Sequence, residues 1–243
     1  MKASYSESFV VPFYFIDSSR KMKLSALFDA LLLASEHQLH AAGIDSQQLV
    51  HEHQLGWVVT KYHLEVQRWP VLDEKITLTT EATSYNKFFC YRTFTAHDAQ
   101  GKQLLQLTSN WVMLDIQKRK MVPTDPQIME LLDCPYTAKV ESFPRIDRVE
   151  YQQPPILYRT RFFDIDVNGH VNNSIYFDWM LDSLGQDFLV NHNIQTFDIK
   201  YEHEVPYQET IQSFVRVDDL TTHHLIRSTA GVSAQAQITW REN

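Results

Sequence analysis

The sequence predicts an α+β protein in two similar halves, each a long helix packed on a twisted antiparallel sheet. Three observations carry this: a helical segment followed by four strand-like ones, the return of that order later in the chain, and a proline-bearing stretch between them. With 243 residues and 44% apolar content, the chain can bury two cores of ordinary size.

The first helix is read over Leu24–Ala42, where Leu24, Leu27, Phe28, Leu31, Leu32, Ser35 and Leu39 recur at helical spacing and Gly43 supplies a stop. Strands rich in β-branched and aromatic residues are expected at Trp57–Trp69, Lys75–Ser84, Lys87–His97 and Gln103–Ile116. Asp, Asn, Pro and Gly between them supply turn chemistry. A second helix is expected over Asn173–Val190, with Ile175, Tyr176, Trp179, Met180 and Leu184 apolar and Asp178, Asp182 and Gln186 along a polar stripe. Strands at Thr196–Val205, Thr210–Val217, His223–Thr229 and Val232–Trp240 follow. A stretch with Pro135 and Pro144 separates the halves, so the expected division is 1–133, a linker at 134–147, and 148–243. A gapless overlay anchored on Asp17 and Asp166 pairs Ile16 with Ile165, Ser25 with Ser174, Phe28 with Phe177 and Asp29 with Asp178.

Composition excludes several function classes. A net charge of -8 argues against general nucleic-acid binding, which needs a basic face; the short basic cluster is Lys118, Arg119 and Lys120. Cys90 and Cys134 stand in different contexts, without disulfide or zinc spacing, which points to a reducing, cytoplasmic setting. The N-terminal residues lack an apolar run and no stretch reaches membrane-spanning length, so no membrane association is expected. The pairs His51/His53 and His223/His224 read as surface or turn residues, and no metal or cofactor is expected.

The chemistry-bearing stretch is Phe163 to Asn173. In an extended backbone Asp166, Asn168 and His170 share one face while Ile165, Val167 and Val171 anchor the other. A carboxylate, an amide and an imidazole would then converge on one water or acyl group. Asn172 or Asn173 is a natural helix cap, and the backbone N–H groups of Val171 and Asn172 are expected to hold an oxyanion, with Gly169 permitting close approach. A plain capping role for these residues would leave His170 without a purpose. A calcium loop matches Asp164, Asp166, Asn168 and Gly169 but fails at Ile175, where it needs glutamate.

Asp166, Asn168, His170, Val171, Asn172, Asn173 and Tyr176 match the Asp-x-Asn-x-His-Val-Asn-Asn motif and following Tyr of the plant and bacterial acyl-acyl-carrier-protein thioesterases, which this chain resembles. Tyr201-Glu202-His203-Glu204-Val205 stands where that family has a Glu-Tyr-Arg-Arg-Glu-Cys-like strand, which implies Glu204 as the fourth catalytic residue; Val205 excludes a cysteine nucleophile there. In the first half Trp57 to Lys61 and Ser109 to Met113 are similar to family core strands. The resemblance implies a tandem (double) hot-dog fold, hydrolysis of fatty acyl-acyl-carrier-protein to free fatty acid without a cofactor, and the acyl carrier protein as partner. It also implies an acyl tunnel in the first half lined by some of Phe28, Leu31, Leu32, Trp57 and Trp69. Together with the need to cover exposed edges, it implies one long sheet joined edge to edge.

In the overlay Ser19 takes the place of Asn168 and Lys21 that of His170; anchoring on Pro70 and Pro206 sets Arg68 opposite Glu204. Only Asp17 is retained, so the first half is expected to be catalytically silent. Lys118, Arg119 and Lys120 are the candidate carrier-docking patch. Whether Glu204 or Asp166 is the base or nucleophile stays open, as do acyl-CoA hydrolysis by the same site, a non-catalytic acyl-binding role and a homodimer. A hydratase is disfavoured, because it would carry its histidine one residue later and a proline at Gly169.

Overall fold

From Tyr5 to Val10, near the start of the described residues, half-buried and exposed side chains alternate, a pattern that belongs to a sheet edge. The computed structural model describes residues 4–243. In the first half β1 (Ser4–Val10), α1 (Leu24–Ala41) and α2 (Ser46–His53) precede β2 (Leu55–Val66), β3 (Lys75–Tyr85), β4 (Cys90–His97), β5 (Gln103–Asp115), β6 (Lys120–Val122) and α3 (Pro126–Leu131). In the second, β7 (Ile156–Arg159), α4 (Ile175–Asp182) and α5 (Gln186–Asn191) precede β8 (His192–Tyr201), β9 (Thr210–Asp218), β10 (Thr221–Ser228) and β11 (Gly231–Glu242).

The eleven strands of the described residues form one sheet, in the order β1-β3-β4-β5-β2-β8-β11-β10-β9-β7 with β6 attached to β5. Every strand pairing is antiparallel, and the order reads as a palindrome about the β2–β8 seam. At that seam Leu64 stands opposite Phe197 and His63 opposite Asp198, with His63 Nδ1 2.7 Å from Asp198 Oδ1. Joining the halves here buries what would be the longest exposed edge in each.

α1 ends as its local sequence dictates: Gly43, at φ 79°, lets the Ile44 and Gly43 N–H groups return to the carbonyls of Leu39 and His40. Its buried face lies beside α4. The Phe28 ring is 4.5 Å from that of Phe177 and 4.9 Å from that of Tyr62. The Asp29 carboxylate faces Ser174, and the Asp178 carboxylate faces Ser25. Each half therefore offers the other the same pair of groups, the reciprocity of a two-fold contact reproduced within one chain.

Two expectations need correction, and several elements lie outside the sequence patterns. The second helix is broken at Gly185, whose φ of 79° ends one helical run and begins another. β1 and β7 escape the sequence patterns because edge strands bury little; Leu157 of β7 is largely exposed. α2 is held by the Asp45 carboxylate, which accepts the N–H groups of Gln47 and Gln48. His223 and His224 are not surface residues: both are buried in β10, on opposite faces of the strand. His224 faces α4 and the Met180 backbone, whereas His223 shares with Leu225 the far face, where the coil before β7 lays Tyr151 on Phe214. Cys90 and Cys134, distant in sequence, are buried together in a satellite cluster with Met113 and Met129, and both are free thiols. Among the described residues no helix is long and apolar enough to cross a membrane.

Candidate active site

Asp166 to His170 do not form an extended segment. Ile165 bridges Val171 across a tight turn in which the Asp166 N–H donates to the His170 carbonyl at 2.9 Å and the Gly169 N–H to the Asp166 carbonyl at 3.0 Å. Asp166 Oδ1 accepts the Asn168 N–H at 2.8 Å, and Gly169 takes φ 83°. Val167, expected to anchor the apolar side, is 91% exposed.

The first half repeats this turn in detail. Ile16 bridges Met22, the Asp17 and Arg20 N–H groups donate to Lys21 and Asp17 carbonyls, and Asp17 Oδ1 accepts the Ser19 N–H at 2.8 Å. Arg20 takes φ 62° where the second half has Gly169. The retained aspartate therefore has a structural reason in both halves: its carboxylate closes the turn.

The turn brings His170 toward Glu204. Val171 donates its N–H to the Val205 carbonyl at 2.9 Å, which fixes the segment after β8 beside the turn; Glu204 lies there in irregular backbone, beyond the end of the strand expected to carry it. His170 Nε2 is 3.7 Å from Glu204 Oε1 and its Nδ1 is 3.9 Å from Asp166 Oδ1. The Nδ1 atom also lies 3.3 Å from the Val171 carbonyl, a contact that places the proton on Nδ1 and leaves Nε2 facing Glu204 as an acceptor. Side-chain exposures of 22% for His170, 21% for Asp166 and 29% for Glu204 leave the group sheltered but reachable. Asn168 sits at the exposed rim with its amide nitrogen 3.4 Å from Asp166 Oδ2.

Other expected site residues are placed differently. The Val171 N–H is taken by Val205, and that of Asn172 by the Asp164 carbonyl at 2.8 Å, so neither is free to receive an oxyanion. Asn172 instead caps the following turn through Oδ1, which accepts the Ser174 N–H. Of Lys118, Arg119 and Lys120, two are ion-paired and the third is exposed: the Lys118 ammonium lies 2.7 Å from Asp115, and the Arg119 guanidinium pairs with Glu204 Oε2. Phe28, Leu31 and Trp69 are buried in the main core with Leu32 half-buried against it, whereas Trp57 packs on the satellite cluster. Two roles were not expected. Arg119, expected in a docking patch, instead pairs with Glu204. Tyr176, named in the motif but given no role, lies buried beside the Val205 backbone; burial first, then the charges of Glu204, Glu209 and Asp166, push its pKa upward against that backbone contact.

Comparison with known proteins bears on this geometry. The model of the acyl-ACP thioesterase N-terminal domain matches residues 2–132, and that of the C-terminal domain matches residues 150–242. The chain belongs to the acyl-ACP thioesterase family. It is a thioester hydrolase acting on fatty acyl-acyl-carrier-protein, with the double hot-dog fold. The thioesterase is 35% identical to a putative oleoyl thioesterase from Lactobacillus plantarum, with a TM-score of 0.94 over 98% of this chain and 96% of that one. The 12:0-ACP thioesterase of Umbellularia californica has the same fold at 18% identity, with a TM-score of 0.88 over 100% of this chain and 99% of that one. The oleoyl-acyl carrier protein thioesterase of Coriandrum sativum, a chloroplastic enzyme, is 24% identical over 96% of this chain and 68% of its own length. Val205 of the present thioesterase is fully buried in the main core.

Proposed function

We propose that Glu204 is the general base of the hydrolysis and that Asp166 shapes the turn that presents His170. The carrying observation is the contrast between the two carboxylates. Asp166 spends its oxygens on Asn168, as Asp17 does on Ser19 in the half that lacks the other site residues. Glu204 directs Oε1 toward His170 Nε2, 3.7 Å away, a separation that one water can span by donating to both.

In this reading Glu204 removes a proton from that water as its oxygen attacks the thioester carbonyl. His170 accepts the second hydrogen and orients it, and the exposed Asn168 amide donates to the developing oxyanion. Collapse of the tetrahedral intermediate breaks the C–S bond, and protonated Glu204 returns its proton to the thiolate, so the base is restored. The acyl chain enters the first half past half-buried Leu32 and Trp57 toward Phe28, Leu31 and Trp69. A cytoplasmic setting is supported by the two free, buried thiols.

Thiol release measured over a panel of acyl chain lengths tests this. Glu204→Gln should lower kcat by roughly 10²–10⁴ while acyl binding persists. In a single turnover in heavy-oxygen water the label should appear in the fatty acid alone. Wild-type turnover by Glu204→Gln, or label recovered in Asp166, would refute the assignment.

A further inference from the structure

We propose that Arg119, supplied by the first half, is a positioning residue for Glu204, so that the active site is a composite of both halves. This rests on the reading of Glu204 as base. Glu204 stands past the last residue of β8, where no strand ladder holds it, and a glutamate has three rotatable bonds to fix before one oxygen points steadily at a water. Arg119 supplies that fixation. Its guanidinium takes Oε2, which leaves Oε1 turned toward His170.

The turn between β5 and β6 is built to deliver this side chain. Its root is closed by the pairing of Met113, Leu114 and Asp115 with Val122, Met121 and Lys120. Asp115 Oδ1 accepts the Lys118 N–H at 2.9 Å while its other oxygen holds the Lys118 ammonium, which keeps that neighbouring cation away from the site. Arg119 itself adopts φ 51°, a left-handed conformation uncommon for a residue with a side chain. The turn conformation thus sends one cation of the basic cluster across to the second half. At the corresponding place in the first half, Arg68 directs its guanidinium to Glu74 of its own half, with the two nitrogens on the two carboxylate oxygens.

Arg119 is largely exposed, and an exposed ion pair adds little to folding stability. Its influence belongs in turnover. The charged or titratable groups around Glu204 are Arg119 from the β5–β6 turn, His170 and Asp166 from the turn before α4, and the Tyr176 phenol from α4. Arg119 is the fixed cation among them, and its removal frees Glu204 Oε2 and lets the carboxylate rotate away from the water.

The experiment compares Arg119→Gln, Arg119→Lys and Glu204→Gln on an acyl-carrier-protein substrate and on an acyl-pantetheine lacking the carrier. Arg119→Gln should lower kcat on the order of tenfold on both substrates and leave KM and Tm near wild type. Arg119→Lys should restore part of kcat. A rise in KM confined to the carrier substrate, with kcat unchanged, would make Arg119 a docking residue and overturn the proposal. If Glu204→Gln is inactive while Arg119→Gln keeps full turnover, the positioning role alone falls. If Glu204→Gln keeps full turnover, the base assignment falls and the proposal with it.

Discussion

Acidification below neutrality should destabilise the thioesterase through one side chain, His224 of β10. The ring is fully buried, with Nε2 2.9 Å from Thr222 Oγ1. That hydroxyl already accepts the Trp240 indole N–H at 2.9 Å, so its single proton is directed at Nε2, and the imidazole is held neutral. Burial first, and the adjacent His223 second, lower the His224 pKa to about 3, against a smaller opposing effect of the Met180 backbone. The depressed value means that the unfolded chain takes up a proton below pH ~6.5 while the native ring refuses it. Stability contributed by the neutral ring is therefore complete above pH ~6.5 and declines as pH falls, by about 1.4 kcal/mol per unit. Between pH ~6.5 and pH ~5 the loss is about 2 kcal/mol. Urea unfolding of the wild type and His224→Gln across this interval isolates the effect. The variant is less stable at neutrality, and its deficit should shrink by that amount at pH ~5. Asp29 and Asp178, whose carboxyls are raised by burial, slope the opposite way but do so in both proteins and cancel. Parallel curves for the two proteins would refute the reasoning.

Asp17→Ala and Asp166→Ala should each cost about 1 kcal/mol of stability, since both carboxylates close the same turn, yet only Asp166→Ala should lower kcat. Thermal unfolding beside a thiol-release assay checks this, and an inactive, stable Asp17→Ala would contradict it. His63, raised in pKa chiefly by its hydrogen bond to Asp198, should hold the β2–β8 seam fully below pH ~6.5 and lose that contribution as pH rises through its folded value. The urea midpoint difference between wild type and His63→Asn should accordingly be larger at pH ~6 than at pH ~8.5, and a constant difference would count against it.

Much of this was legible because it is local. α1 and its stop at Gly43 follow from apolar spacing and one left-handed glycine, and the central strands follow from their β-branched and aromatic runs bounded by turn residues. Asn86 shortens β4 by accepting the N–H groups of Phe88 and Phe89, a cap whose reach a strand pattern does not reveal. The internal repeat was also legible, down to the pairing of Ser25 with Ser174 and Asp29 with Asp178, which the fold turns into reciprocal contacts between α1 and α4. Adjacent histidines at 223 and 224 look like a polar turn until α4 covers one face of β10 and the coil before β7 covers the other.

The site divides in the same way. Asp166, Asn168 and His170 lie within one turn, so residue types and spacing sufficed to single them out, and the motif around them pointed to Glu204. Alternation alone suggested an extended strand, but the Asp166 carboxylate and Gly169 favour a closed turn, and short polar segments obey such hydrogen bonds before they obey period. Which N–H groups are already occupied, and which cation reaches Glu204 from 85 residues away, depended on the two halves meeting at β2 and β8. A sequence sets local preference and chemical type by itself. The partner of an atom distant along the chain is decided when the sheet closes, because that contact exists only once both surfaces are packed.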